Sequence, residues 1–492
     1  MRATGDRGPA AIAPPIEAGF RRAREELGIR SGFPDDVLRE AERVSRERIP
    51  AASAAHVDRT AIEFVTIDPP GSRDLDQAVQ AGREGEGYRL RYAIADVGFW
   101  VDRGGAIERE AWLRGVTFYA PDCRDPLYPP VLSQGAASLL PDQPTPALLF
   151  DFVLDSRAEL VSWTLERALV QSRAQLTYTE LLAGATGGAT AKAPAQPGAQ
   201  TLALLGEIGP KLLALEVERG GVSLPVRDQH VERRAAARLG YALSYEAPNE
   251  AEQWNAEVSL LTGHVAAMRM IEAKAGLLRT MPPFDDREVA HFRRIAQALG
   301  FPWPEGMSYA AFMQGVSARH PRIDVLVRQA RRVMHGAEYV AFDGAPPEQA
   351  LHGALAFPYA HATAPLRRLA DRYVLDLVAT LAAGARPGAP EVTTLAALPP
   401  VMAEATRKAN QLERRVVDVA EAWALHQCVG DTLHATVIDA QRGTIEVQVE
   451  EPPIRASLPD GAGAPPALGT TVDVRVEGVD VAEGKVVLAL AR

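Results

Sequence analysis

The spacing of apolar side chains changes three times along this chain, and each change limits what can be built there. In residues 1–55, Ile16, Phe20, Ala23 and Leu27 recur at helical intervals and Pro34-Asp35-Asp36 has the character of a helix start, so a short helical segment is expected. From Ala61 the period shortens to two. IEFVTI runs into a Pro-Gly turn, and in GYRLRYAIADVGFWV the residues Tyr88, Leu90, Tyr92 and Ile94 alternate with Arg89 and Arg91, as in a half-buried strand. The period then lengthens, with helices predicted over Thr201 to about Glu218, Ala256 to Leu278, Arg367 to Ala382 and Met402 to Cys428. Toward the end LHATVIDA, GTIEVQVE, TVDVRVEGVD and KVVLALA are short strands between Gly and Pro turns, the pattern of a small OB-type β-barrel. The Gly/Ala/Pro-rich stretch GATGGATAKAPAQPGAQ reads as a surface loop. The fold class expected is α+β, divided into residues 1–55, 56–428 and 429–492.

A chain of 492 residues, 47% hydrophobic and 24% charged, suits a soluble protein of two or three domains. Cys123 and Cys428 lie far apart, which suggests neither a disulfide framework nor a cysteine-ligated zinc site. MRATGDRGPAAIAPP lacks the apolar core of a signal peptide, and no apolar run reaches bilayer length, so a cytoplasmic protein without membrane partners is expected. The net charge of -10 argues against electrostatic coating of nucleic acid, though not against an internal channel. Positive charge does concentrate in SARHPRIDVLVRQARRVMHG, at Arg319, Arg322, Arg328, Arg331 and Arg332; a solvated helix face is the other reading of these arginines.

The most informative stretch is TIDPPGSRDLDQA, which sets Asp68, Asp74 and Asp76 within nine positions after a predicted strand. Crowded carboxylates repel unless a cation neutralises them, and hard oxygen ligands suit Mg²⁺ or Mn²⁺. The Pro69-Pro70-Gly71 turn can bring Asp68 back toward the other two. A solvated acidic turn explains the same spacing, and a calcium loop lacks both its helical flanks and its closing glutamate.

Asp-x5-Asp-x-Asp after a strand resembles the metal-binding signature of the RNB family of exoribonucleases, the ribonuclease II type. IADVGFWV, then TFYAPDCRDPLYPPVLSQGAASLLP, RAQLTYTEL, MHGAEYVAFDG and HGALAFPYAHATAPLRRLADRYV follow in the family's order, so the resemblance runs from about Glu63 to Cys428, with the terminal barrel fitting the family's usual RNA-binding domain. The resemblance implies an RNB-type catalytic domain of mixed β-sheet and helices, and hydrolytic 3′-to-5′ release of nucleoside 5′-monophosphates from single-stranded RNA. It implies a bound metal ion, Mg²⁺ with Mn²⁺ as the alternative, held by Asp68, Asp74 and Asp76 with Gln77 beside them. Asp76 and Arg367 fall at catalytic positions, Arg367 being suited to fork two phosphate oxygens. Tyr119, Tyr178, Glu257 and Arg368 match RNA-contacting positions, with half-buried core rings and an Arg368–Asp371 ion pair as the alternatives. His361, in the family's Tyr-x-His context, is read as structural because no second ligand histidine stands beside it.

The chain departs from the pattern in four ways. Gln77 stands where the family commonly has a fourth carboxylate, which should weaken one metal position. Ala364 and Leu369 replace the usual serine and tyrosine around Arg367, changes expected to alter packing more than chemistry. Residues 1–55 leave no room for the two cold-shock barrels expected upstream. Gly430 to Arg492 contains no Phe, Tyr or Trp, so the barrel lacks a stacking platform and modest processivity is expected. An inactive RNB-like scaffold for RNA or a protein partner is the rival reading.

Overall fold

The computed structural model describes residues 15–186, 197–224, 226–233, 240–317, 320–441, 443–460 and 465–491. Most of the stretch read as a surface loop, and Arg319, lie outside the described residues. The central sheet runs Val57–Asp58, Leu160–Leu176, Phe64–Ile67, Gln77–Glu84, Gly87–Ala95, Pro144–Leu154. Its longest strand, Leu160–Leu176, is used twice. One part lies antiparallel to Pro144–Leu154, with Ala168 opposite Ala147; the C-terminal part lies parallel to Phe64–Ile67, with Leu176 opposite Ile67. Five of the strands therefore close into a ring, with Val57–Asp58 left outside it as an edge, and the closure fixes the register of every strand that carries a functional loop.

Alternation in Gly87–Ala95 is as the spacing predicts: Tyr88, Leu90, Tyr92 and Ile94 are buried, Arg89 and Arg91 less so. The strand ends at Ala95 because Asp96 caps a short helix, Val97–Trp100, accepting the Phe99 N–H. Phe64, Phe150 and Phe152 are fully buried, and burying each such ring stabilises the fold by about 1.5–3 kcal/mol. Helices Ala199–Glu218 and Leu369–Ala382 cover the sheet.

Three helical expectations needed correction. The predicted helix ending at Leu278 is Glu250–Ala273, opened by an Asn249/Glu252 capping box and closed by Lys274 at φ +59°. The apolar run beyond it is a strand, Ala275–Thr280, paired antiparallel with Glu338–Asp343; partner strands override local helical spacing. The helix expected from Arg367 starts at Leu369, which leaves Arg367 and Arg368 in the preceding turn. The last helix spans Ala389–Leu425, starting well before Met402 and passing through Pro399 and Pro400. Burial of Leu395, Leu398, Met402 and Ala405 offsets the missing prolyl N–H groups.

The terminal sheet has five strands in the order Ile454–Pro459, Thr444–Val449, Thr432–Gln441, Thr471–Asp480, Lys485–Leu490, and its edge strands approach each other in a nearly closed OB-type barrel. Ile454–Pro459, hidden between prolines, is the strand that spacing missed. Much of the arginine-rich segment grips this barrel: Arg328 pairs with Glu446 at 2.5 Å, Arg332 with Asp439, and Gln329 donates to Asp439 at 3.3 Å. Arg331 instead meets Asp228 at 2.8 Å, and Arg322 donates to the Leu299 carbonyl at 3.1 Å. The positive stretch is thus turned to tertiary ion pairs. No helix among the described residues is long and apolar enough to cross a membrane.

Helices Pro15–Glu26, Asp35–Glu47 and Ile49–Ala55 form the N-terminal segment, with Ile16 and Phe20 fully buried as predicted. Glu26 meets Arg415 of the last helix at 2.8 Å, and Arg24 holds Asp122 through both Nη atoms at 2.7 and 2.9 Å.

Candidate functional site

The aspartates sit on one short loop between two neighbouring strands. Asp68 follows Phe64–Ile67 directly and Asp76 directly precedes Gln77–Glu84. Pro69 and Pro70 stiffen the exit, and Gly71, at φ +79°, supplies the left-handed residue that reverses the chain. Backbone bonds fix both ends: the Asp68 N–H donates to the Leu176 carbonyl and the Ala95 N–H to the Asp76 carbonyl, each at 2.9 Å. Ser138 Oγ holds the middle, donating to the Arg73 carbonyl at 2.6 Å and accepting the Leu75 N–H at 2.9 Å.

Two further segments face this loop. The turn before Leu369 is tied to residues 115–117, where the Thr117 N–H donates to the Arg367 carbonyl and the Leu369 N–H to the Gly115 carbonyl, each at 2.9 Å. So held, it presents the Leu366 N–H to Asp76 Oδ1 at 2.7 Å and Arg367 Nε to Asp76 Oδ2 at 3.4 Å. The second segment is a hairpin pairing Phe118–Tyr119 with Arg124–Asp125. It brings the Tyr119 hydroxyl to Asp74 Oδ2 at 3.2 Å and Arg124 Nη1 to Asp74 Oδ1 at 2.5 Å.

These groups line a channel of about 1200 Å³ that also takes in Gln77, Tyr178 and Arg368. Tyr178 opens the helix Tyr178–Ala185, whose Thr177/Glu180 capping box sets its direction. Arg368 forms the ion pair that was its alternative, reaching Asp371 through Nε at 3.0 Å and Nη2 at 2.8 Å while still bordering the channel. Gln77 is engaged at both ends of its amide: Nε2 donates to the Thr363 carbonyl and Oε1 accepts the Tyr92 hydroxyl at 2.8 Å. Glu257 is not among the channel-lining residues; it is buried and lies 3.6 Å from Arg219. His361 is buried with Nδ1 2.5 Å from the Tyr339 hydroxyl, and burial holds its pKa well below the usual histidine value, so it is neutral.

Burial dominates the electrostatics. It raises the Asp76 carboxyl to about 8 and Asp68 to about 7, with Arg367 pulling each the other way. Burial also raises the Tyr119 and Tyr178 hydroxyls, so both rings stay protonated and neutral. The three aspartates share one loop and one cavity, and their hard oxygen donors suit a divalent cation in kind. Their positions are looser: among the described residues no three His, Cys, Asp or Glu side chains are gathered closely enough to hold a metal ion. Arg124 is the functional candidate that sequence reasoning passed over. Its signal was present, a basic residue placed to pair across a tight turn from Tyr119.

The chain belongs to the RNB family: the RNB domain model matches residues 57–384, and the model of the RNase II-type exonuclease C-terminal S1 domain matches residues 431–491. Among curated relatives, Ribonuclease R of Escherichia coli (strain K12) is 30% identical over 336 residues, covering 66% of this chain and 40% of that protein. Ribonuclease R of Aquifex aeolicus is 26% identical over 355 residues, 71% of this chain and 49% of that one. The chain thus spans less than half the length of these relatives. Among solved structures, Mycoplasma genitalium RNase R in complex with ribose methylated single-stranded RNA superposes with a TM-score of 0.85 at 17% identity, over 97% of this chain and 78% of that one. Yeast Ssd1, described as a pseudonuclease, superposes with a TM-score of 0.66 at 18% identity over 82% and 50%. At these identities the likeness establishes the shared fold.

Proposed function

We propose that this chain is a metal-dependent 3′-to-5′ exoribonuclease that hydrolyses single-stranded RNA to nucleoside 5′-monophosphates. The observation that carries the reading is one channel wall joining Asp68, Asp74 and Asp76 to Arg367, with aromatic faces at Tyr119 and Tyr178. A divalent ion, Mg²⁺ or Mn²⁺, held by the three aspartates would supply Lewis acidity and lower the pKa of a bound water. Arg367 keeps a planar, permanently charged fork beside Asp76, suited to the charge that develops on phosphate. The Leu366 N–H holds Asp76 in place, so the acid and the arginine keep a fixed separation. Tyr178 and Tyr119 offer ring faces that accept any base, worth roughly 1–3 kcal/mol per stacked base. In each turnover the oxygen of a water bonds to phosphorus as the P–O3′ bond breaks; the proton that water gives up ends on the leaving O3′, so the shortened RNA gains a new 3′-hydroxyl and the phosphate stays on the 5′ oxygen of the released nucleotide. Arg368 is occupied by Asp371 and acts by shaping the channel in this reading, and Glu257, occupied by Arg219 away from the channel, has no direct part in it. The barrel carries no aromatic side chain, which fits modest processivity.

The rival is an RNB-like scaffold without turnover. It is favoured by Gln77, whose amide is already engaged, and by the fold shared with a pseudonuclease. Incubating 5′-labelled single-stranded RNA with the protein in Mg²⁺ or Mn²⁺, alongside Asp76→Asn, separates the two. Stepwise shortening from the 3′ end, lost in the variant while RNA binding persists, supports the enzyme. Intact but bound RNA in both metals supports the scaffold.

A further inference from the structure

We propose that this site takes a single divalent cation and that Arg124 is the residue that excludes a second; the proposal rests on the metal-dependent reading above. The argument starts from the oxygen atoms. Both oxygens of Asp74 are held, one by the Arg124 guanidinium at 2.5 Å and the other by the Tyr119 hydroxyl at 3.2 Å. The Gln77 oxygen carries no charge and already accepts the Tyr92 hydroxyl. Turning Oε1 toward an ion would break its bond from Tyr92, a phenol only 1% exposed whose hydroxyl also lies 2.9 Å from Ser259 Oγ. It would also take Nε2 from the Thr363 carbonyl. Asp76 is engaged by the Leu366 N–H and faces Arg367. Among the described residues Asp68 alone of the three carboxylates makes no side-chain hydrogen bond or ion pair.

Charge leads to the same count. Paired metal sites set two ions roughly 3.5–4 Å apart with carboxylates between them. Here two guanidiniums already stand against three carboxylates, and an arginine cannot lose its proton to make room. A first divalent ion among the three aspartates would bring the wall to net positive charge, and a second would meet an uncompensated guanidinium.

Arg124 is held in place rather than free to swing away. It lies opposite Tyr119 in the hairpin register, its guanidinium is 5.4 Å from the centre of that ring, and Asp122 at the bend is gripped by both Nη atoms of Arg24. The hairpin thus plants a fixed cation against Asp74 on the wall that would hold an ion, with its side chain one-third exposed. There it supplies to a phosphate the positive charge that the missing ion would otherwise bring.

The test counts ions without RNA. Metal-stripped full-length protein is titrated with Mn²⁺ by calorimetry, and bound ions are counted by electron paramagnetic resonance. The wild type is expected to bind one ion. Two neutral variants, Arg124→Gln and Arg124→Met, each checked for folding by thermal denaturation, should bind two, or bind the first more tightly by roughly tenfold or more. Arg124→Lys, which keeps the charge, should stay at one. Two ions in the wild type, or folded neutral variants indistinguishable from it, overturn the proposal and leave the nuclease reading intact. No ion bound by any form at millimolar Mn²⁺ overturns the metal-dependent reading and this proposal with it.

Discussion

Asp68 and Asp76 carry opposite obligations under the proposed function: they are buried enough to resist ionisation, and holding a cation would require them ionised. Burial raises their pKa values to about 7 and about 8, against roughly 3.9 for an ordinary aspartate. Between about pH 4 and pH 8 the folded protein therefore binds more protons than the unfolded chain, so its stability without a divalent ion falls as pH rises through that window. The chelator-treated protein is expected to melt several degrees lower at about pH 8.5 than at about pH 6. Asp68→Asn should flatten that slope, and added Mg²⁺ should raise the melting temperature most at the higher pH. Thermal denaturation across pH checks all three; an Asp68→Asn variant with the wild-type slope would count against this account of the site.

At the scale of elements, the N-terminal helix earns its place by what it holds. Arg24 reaches from Pro15–Glu26 to the bend of the Tyr119–Arg124 hairpin, in a pair where the arginine side chain is 10% exposed and the aspartate 15%. Removing one partner of so enclosed a bidentate pair leaves the other charge unpaired and costs about 1–3 kcal/mol. Arg24→Ala is therefore expected to lower stability by that amount in urea denaturation. It should also raise the KM for RNA several-fold with a smaller change in kcat, because Tyr119 and Arg124 lose their backing while Asp76 and Arg367 keep theirs. An unchanged KM would show that the hairpin holds itself.

At the scale of the whole molecule, complementary charge joins the barrel to the body. Residues 430–492 hold ten Asp and Glu against five Arg and Lys, and the segment from Arg322 to Arg332 meets that surface. Arg227 and Gln448 converge on Asp324, and Arg328 and Arg332 reach Glu446 and Asp439. Exposed pairs contribute little singly; Asp439 is 5% exposed, so its partner matters more. The barrel and body should melt in one calorimetric transition. The double variant Arg328→Ala, Arg332→Ala should split off an earlier transition for the barrel and speed proteolysis between Leu425 and Thr432. A single unsplit transition in that variant would mean that apolar contacts suffice.

Local periodicity carried the strands around Tyr92, the helix around Phe20 and the general order of sheet, helices and barrel, because each follows from the side a residue must turn to a core. The Asp68, Asp74 and Asp76 cluster and Arg367 were readable as well, since crowded carboxylates and an arginine in a family-like motif are local signals. What only the tertiary structure decided were matters of pairing at long range. The strand Ala275–Thr280 exists because Glu338–Asp343 lies beside it, and Arg328 and Arg332 turn from a run of positive charge into barrel contacts because acidic strands fold back onto them. Gln77 becomes a brace between Thr363 and Tyr92, and Arg124 a partner for Asp74, for the same reason. A hydrogen bond or ion pair depends on distances set by the closed sheet, and no run of neighbouring residues contains those distances.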